Sequence, residues 1–127
     1  MILGTGIDII EVERTQRAAA KAGFAERVFT VEERALIAKR RNDAQTIAGI
    51  FAAKEAVAKA LGRGFFGGMS FQDVEILHEP SGRPVARLRG AAAERLLELN
   101  ATQVFVSISH IKAVAVANAI ITDGQGV

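Results

Sequence analysis

The chain has 127 residues, half of them hydrophobic, a formal net charge of +2 and no cysteine. That length suits one domain with a real core, so one domain is expected across residues 1–127. The missing thiols exclude a disulfide framework, a cysteine nucleophile and cysteine-ligated zinc.

The start Met1-Ile2-Leu3-Gly4 lacks the basic and apolar regions of a signal peptide, and no apolar stretch of about 18 residues is present. The expectation is a soluble cytoplasmic protein with no membrane association. With two prolines and no low-complexity run, disorder is not expected.

Residues 2–10 read as a buried strand loosened by Gly4 and Gly6. A helix over 11–22 follows, with Glu11 and Glu13 at its N-terminus and Gly23 as its stop. Thr30 and Glu33 have capping-box spacing and open a short helix toward Arg41. Asn42 and Gln45 repeat that spacing and open a long helix through Leu61, ended by Gly62. The glycine-rich stretch 62–68 is a flexible loop inside the domain. Val74 and Ile76, then residues 85–88, flank a turn over 79–84 and read as a hairpin. A helix over 91–99 stops at Asn100, and strands over 104–110 and 113–121 join through a tight turn. The expected class is α+β, a mainly antiparallel sheet packed against one long helix.

Charge is unevenly placed. Arg14, Arg17, Lys21, Arg27, Arg34, Lys39, Arg40 and Arg41 face only Glu26, Glu32 and Glu33 in the same segment. Such a block is a solvated face or a dock for an anionic partner. Arg14, Arg17 and Lys21 fall at i, i+3 and i+7, one stripe on the expected helix. Nucleic acid is one anionic partner, but the chain has no Tyr or Trp and no RNP, KH or zinc motif, so none is expected to bind.

Three features bear on chemistry. Asp8 is the one charge in an apolar strand, so a cation, an arginine or N–H donors must meet it. Lys54 lies in the apolar stripe of the long helix, with Glu55 next and Lys59 one turn beyond. That trio reads either as a metal and phosphate site or as a snorkelling lysine beside a surface ion pair. Ser107-Ile108-Ser109-His110 ends a strand, where ligands are often met; Ser109 and His110 point to opposite faces, which disfavours a serine–histidine nucleophile. His78 stands beside a turn without company and reads as structural. Two acids, two lysines and a histidine suit magnesium and phosphate better than zinc.

Gly6-Ile7-Asp8, the run Phe51-Ala52-Ala53-Lys54-Glu55-Ala56 with Lys59, and Ser107-Ile108-Ser109-His110 stand in an order and spacing that resemble the holo-acyl-carrier-protein synthases. The resemblance spans nearly the whole chain and includes Gly82-Arg83-Pro84 in the hairpin. It implies a 4'-phosphopantetheinyl transferase-like fold and a homotrimer with coenzyme A bound between subunits. It further implies Mg²⁺ on Asp8 and Glu55, Glu55 and Lys59 as catalytic groups, and Lys59 on the diphosphate. Gly62, Arg83, Pro84 and His110 would lie near the nucleotide end of coenzyme A. An acyl carrier protein would be the partner, docking on Arg14, Arg17 and Lys21. Two positions depart from the pattern: Ile50 replaces a common basic residue, and Ile111-Lys112 follows the histidine. Position 10 is Ile, so the third acid of larger relatives is absent. Which carrier protein is used, how acyl-coenzyme A is treated and what serves as general base stay open.

Overall fold

A computed structural model describes residues 1–65 and 67–124; Phe66, within the expected 62–68 loop, lies outside the described residues. The chain runs β1 (Ile2–Glu11), α1 (Val12–Ala19), α2 (Phe24–Val28), α3 (Val31–Lys39), α4 (Ala44–Leu61), β2 (Val74–His78), β3 (Pro84–Leu88), α5 (Gly90–Glu98), β4 (Gln103–His110) and β5 (Val114–Thr122). The class is α+β, as expected. The antiparallel strands form two sheets, β1-β5-β4 and the β2-β3 hairpin. Alternation of side chains marks a strand without naming its neighbour, so this split was not readable.

β5 is the centre of the larger sheet, and its register sets the two faces. Gly6 pairs with Ala119 and Asp8 with Ala117, while Ile108 also pairs with Ala117 and His110 with Ala115. These residues share the inner face, which α4 covers. Ala115, Ala117, Ala119 and Ile121 are buried there, whereas Ile7, Ile9 and Phe105 stand exposed on the other face.

α4 forms because its sequence is rich in alanine and other good helix formers. It is apolar nearly all round, with Ala48, Ile50, Ala52, Ala53, Ala56, Val57 and Leu61 buried, as a helix at the centre of a domain must be. Gly62 ends it at φ 71°, where a left-handed C-cap favours glycine.

Two helix boundaries differ from expectation. α1 stops at Ala19, and a separate α2 starts after Gly23, whose φ is 81°. Lys21 therefore lies in the turn beyond α1, and only Arg14 and Arg17 share the helix. The cap of α4 is Asp43, whose carboxylate accepts from the N–H of Thr46 at 2.9 Å. Asn42 cannot cap, because its φ of 54° is left-handed and an N-cap needs extended backbone. The Thr30–Glu33 capping box has both of its hydrogen bonds, and Asn100, at φ 59°, follows α5 as its stop.

Candidate active site

Lys54, read as a snorkelling stem, is wholly buried. Its ammonium meets the Glu33 carboxylate at 2.8 Å and donates to the carbonyls of Phe71, at 2.9 Å, and Val74. The same carboxylate accepts from the backbone N–H groups of Thr30 and Ile76. Glu75 closes the network, accepting from Thr30 Oγ1 at 2.6 Å and pairing with Arg89 at 2.8 Å. Burial pulls the Lys54 ammonium below its ordinary pKa, against the opposing pull of Glu33. The motif's first lysine thus anchors α4 to α3 and β2 and is not free for a ligand. Glu33 had been read only as a capping residue, and no local pattern links positions 33 and 54.

The next residue is differently placed. Glu55 is half-buried, and its pKa is raised first by burial and then by the neighbouring Asp8, with Lys59 pulling the other way. Asp8 Oδ1 pairs with Lys59 Nζ at 3.0 Å, and that ammonium also donates to the carbonyl of Ile7 at 2.9 Å. Lys59 therefore bridges to β1 and does not form a plain surface pair with Glu55. Asp8 Oδ2 is buried without a hydrogen-bond partner. Two acids and a lysine from β1 and α4, far apart in sequence, meet at one spot.

That spot depends on close backbone approach. A Cβ on Gly6 would lie 2.1 Å from the carbonyl oxygen of Ala56, and one on Gly4 would lie 2.2 Å from that of Ala60. Only glycine at these positions lets β1 rest on α4, bringing Asp8 toward Glu55 and Lys59.

An orphaned buried carboxylate oxygen, beside a second carboxyl raised by its neighbour, is a donor set for a hard cation. A pair of carboxylates suits Mg²⁺ as a donor set, since that ion takes one or two carboxylates and fills its shell with other oxygens. Among the described residues, no cluster of three or more His, Cys, Asp or Glu side chains exists for a metal to use instead.

The remaining expected residues fall elsewhere. Pro84 and His110 line one cavity of about 200 Å³ with Arg40, Thr46, Ile50, His78 and Gly82. His78 therefore has company after all. Arg40, Thr46 and His110 also line a shallower basic depression with Lys39 and Arg41. Arg83 is exposed in the hairpin turn, and Gly62 caps α4 near Arg95. Arg14 is exposed on α1 and lines a largely apolar cavity of about 540 Å³ with Ile9, Ile10, Ala18, Phe24 and Phe51. Arg17 is held by Glu13 at 2.8 Å. Among the described residues, no helix is long and apolar enough to cross a membrane.

Residues 4–117 match the profile of the 4'-phosphopantetheinyl transferase superfamily. The holo-[acyl-carrier-protein] synthase of Alkaliphilus metalliredigens is 47% identical over 123 residues, covering 96% of this chain and 100% of its own. The Helicobacter pylori holo-[acyl-carrier-protein] synthase, solved in complex with coenzyme A, superposes with a TM-score of 0.81 at 32% identity, over 93% of this chain and 99% of that one. The Bacillus anthracis holo-(acyl-carrier-protein) synthase, solved with coenzyme A (3',5'-ADP), gives 0.78 at 36% identity, over 95% and 96%. The chain belongs to the 4'-phosphopantetheinyl transferase superfamily and is an enzyme of its holo-acyl-carrier-protein synthase branch.

Proposed function

We propose that the chain transfers 4'-phosphopantetheine from coenzyme A to a serine of an apo-acyl-carrier protein, with Mg²⁺. The serine hydroxyl attacks the β-phosphorus of the diphosphate and gives up its proton to solvent, the bond to the bridging oxygen breaks, and adenosine 3',5'-bisphosphate leaves. The observation that carries this reading is the unpartnered buried oxygen of Asp8 beside Glu55 and Lys59.

Asp8 and Glu55 would hold the cation, which when bound neutralises the diphosphate. Lys59, tethered by Asp8 and the carbonyl of Ile7, reaches the same diphosphate and offsets charge on the leaving group. Pro84 and His110, with Arg83 at the rim, would receive the nucleotide end; Gly62, at the opposite end of α4 and about 20 Å from Gly49 of that cavity, would reach coenzyme A only from a neighbouring copy.

Asp8 lies on β1 and His110 on β4, the two outer strands of the sheet, with β5 between them and α4 across their common face. This separation favours sites completed between neighbouring copies. The exposed outer face favours them too, since Ile7 at 63%, Ile9 at 69% and Phe105 at 43% exposure are unusual company for solvent. We read the active enzyme as a homotrimer on these grounds. The acidic carrier protein would approach Arg14, Arg17 and Lys21, beside the Asp8 strand. We also place its action in the cytoplasm and its activity in one domain over residues 1–127.

The test is direct. Incubated with Mg²⁺, coenzyme A and an apo carrier protein, the chain should add one phosphopantetheine, read by mass spectrometry. No mass increase at any Mg²⁺ concentration would overturn the reading.

A further inference from the structure

Asp8 is closed as it stands. Its Oδ1 is held by Lys59 Nζ at 3.0 Å, its Oδ2 is buried without a hydrogen-bond partner, and its side chain keeps only 13% exposure. A hard cation therefore reaches this carboxylate only if something moves aside. β1 is pinned, because Gly4 and Gly6 seat it directly on backbone atoms of Ala60 and Ala56. Lys59 is not: its side chain is 54% exposed, and a flexible four-carbon stem carries its ammonium.

The balance of charge favours that exchange. An ion pair with one partner half in solvent holds weakly. Mg²⁺ brings twice the charge of an ammonium and takes Asp8 and Glu55 together. On the same carboxylate it would also face the ammonium across a few ångströms, where like charges repel. The carbonyl of Ile7, which accepts from Lys59 at 2.9 Å, is neutral and adds no charge to keep the ammonium there.

We infer that Lys59 is a positioning residue that holds the Asp8 carboxylate and hands it over to the cation, so that loading the metal and freeing an ammonium for the diphosphate are a single event. This rests on the transferase reading above and deepens it, making the lysine and the cation rivals for Asp8 instead of independent neighbours. A cation and a diphosphate then favour each other beyond their own attraction, since each draws off one partner of the same ion pair.

NMR of the full-length ¹⁵N-labelled protein, with Mg²⁺ as the added ligand, tests it. The Lys59 ammonium signal is assigned by its loss in Lys59→Met. A hydrogen-bonded ammonium exchanges its protons slowly with water, so saturation with Mg²⁺ should broaden this signal away. Affinity is read in the same titration from the backbone amides of Asp8 and Glu55. Lys59→Met should bind Mg²⁺ about two- to fivefold more tightly than wild type, the reach of a half-exposed ion pair. Lys59→Gln, which keeps a donor without the charge, should also bind more tightly and serves where Lys59→Met does not fold. A Lys59 signal that persists at saturating Mg²⁺ overturns the inference and leaves the metal pair standing. Equal or weaker binding by the variants does the same. If neither wild type nor variant binds Mg²⁺, the metal pair itself falls and takes this inference with it.

Discussion

Gly6 lies so close to Ala56 that a Cβ on it would be 2.1 Å from the Ala56 carbonyl oxygen and 2.7 Å from the Ala60 nitrogen. Both are backbone atoms of α4 and cannot step aside. Gly6→Ala should therefore lift β1 from the helix, costing about 1–3 kcal/mol as overpacking does. Transfer should fall at least about tenfold, because Asp8 moves with the strand. Gly64→Ala, where a Cβ meets nothing within 4 Å, is the control. Urea midpoints and initial rates check both; wild-type stability and rate in Gly6→Ala would refute the close-approach account.

Glu55 gives a pH signature. Its folded pKa is raised above the ordinary 4.5, so the folded state binds this proton more tightly than the unfolded chain. Stability from this group is fully present below that value and is lost as pH rises through the raised pKa. Without divalent cations, Glu55→Gln should melt higher than wild type at neutral pH, with the gap closing toward pH 4.5. Thermal melts in a chelator across that range check the sign. Added Mg²⁺ should stabilise wild type more than the variant, and transfer by Glu55→Gln or Asp8→Ala should be abolished. A gap independent of pH would count against a Glu55 pKa raised by burial and by Asp8.

The Lys54–Glu33 pair is buried at both ends. Breaking such a pair from one side leaves an uncompensated charge, so Lys54→Met should cost about 3–5 kcal/mol. Combining it with Glu33→Gln should cost less than the sum of the single changes, because the stranded carboxylate is gone. Urea denaturation of the four proteins gives the coupling, and simple additivity would show that the pair does not act as a unit.

Carrier-protein docking separates the basic residues of the first helix. Arg14 is exposed beside the apolar cavity, whereas Arg17 is already engaged by Glu13. Reversing Arg14 and Lys21 to Glu should raise the KM for the carrier protein at least about tenfold, equivalent to about 1.4 kcal/mol. Arg17→Glu should do less. The loss should shrink with added salt, and the KM for coenzyme A should hold. Nucleic-acid binding abolished by the same reversal, with carrier modification untouched, would reassign the stripe.

Local rules carried much of the fold. The Thr30–Glu33 box, the glycine stop at 62, the hairpin around Gly82 and the strand ending at His110 all depend on near neighbours in sequence, and all are present. What local rules cannot express is partnership across the chain. Glu33 finds Lys54 where α3 and α4 both pack on β2, and the hairpin keeps to itself instead of extending the β4 edge. Asn42 lost the cap to Asp43 because Arg41 and Asn42 both turn left-handed, a choice made by the loop and not by either residue's propensity. Asp8, Glu55 and Lys59 were legible as candidates from a lone charge and helix spacing. Their meeting was not, because it hangs on what Gly6 leaves out.

The position of β5 has a bearing on the order of synthesis. β1 precedes the other elements, yet among the described residues its one ladder partner is the strand at Val114–Thr122, and Asn118 and Gly6 are separated by 112 positions. Pairings so distant in sequence close slowly and late. While a ribosome is still extending the chain, Asp8, Glu55 and Lys59 have all emerged, but the strand that seats Asp8 has α4 alone to lie against and lacks its ladder partner β5. A nascent polypeptide halted before Val114 would carry every acidic and basic group of the site, with Glu55 and Lys59 aligned on α4 and Asp8 without the ladder that fixes its strand.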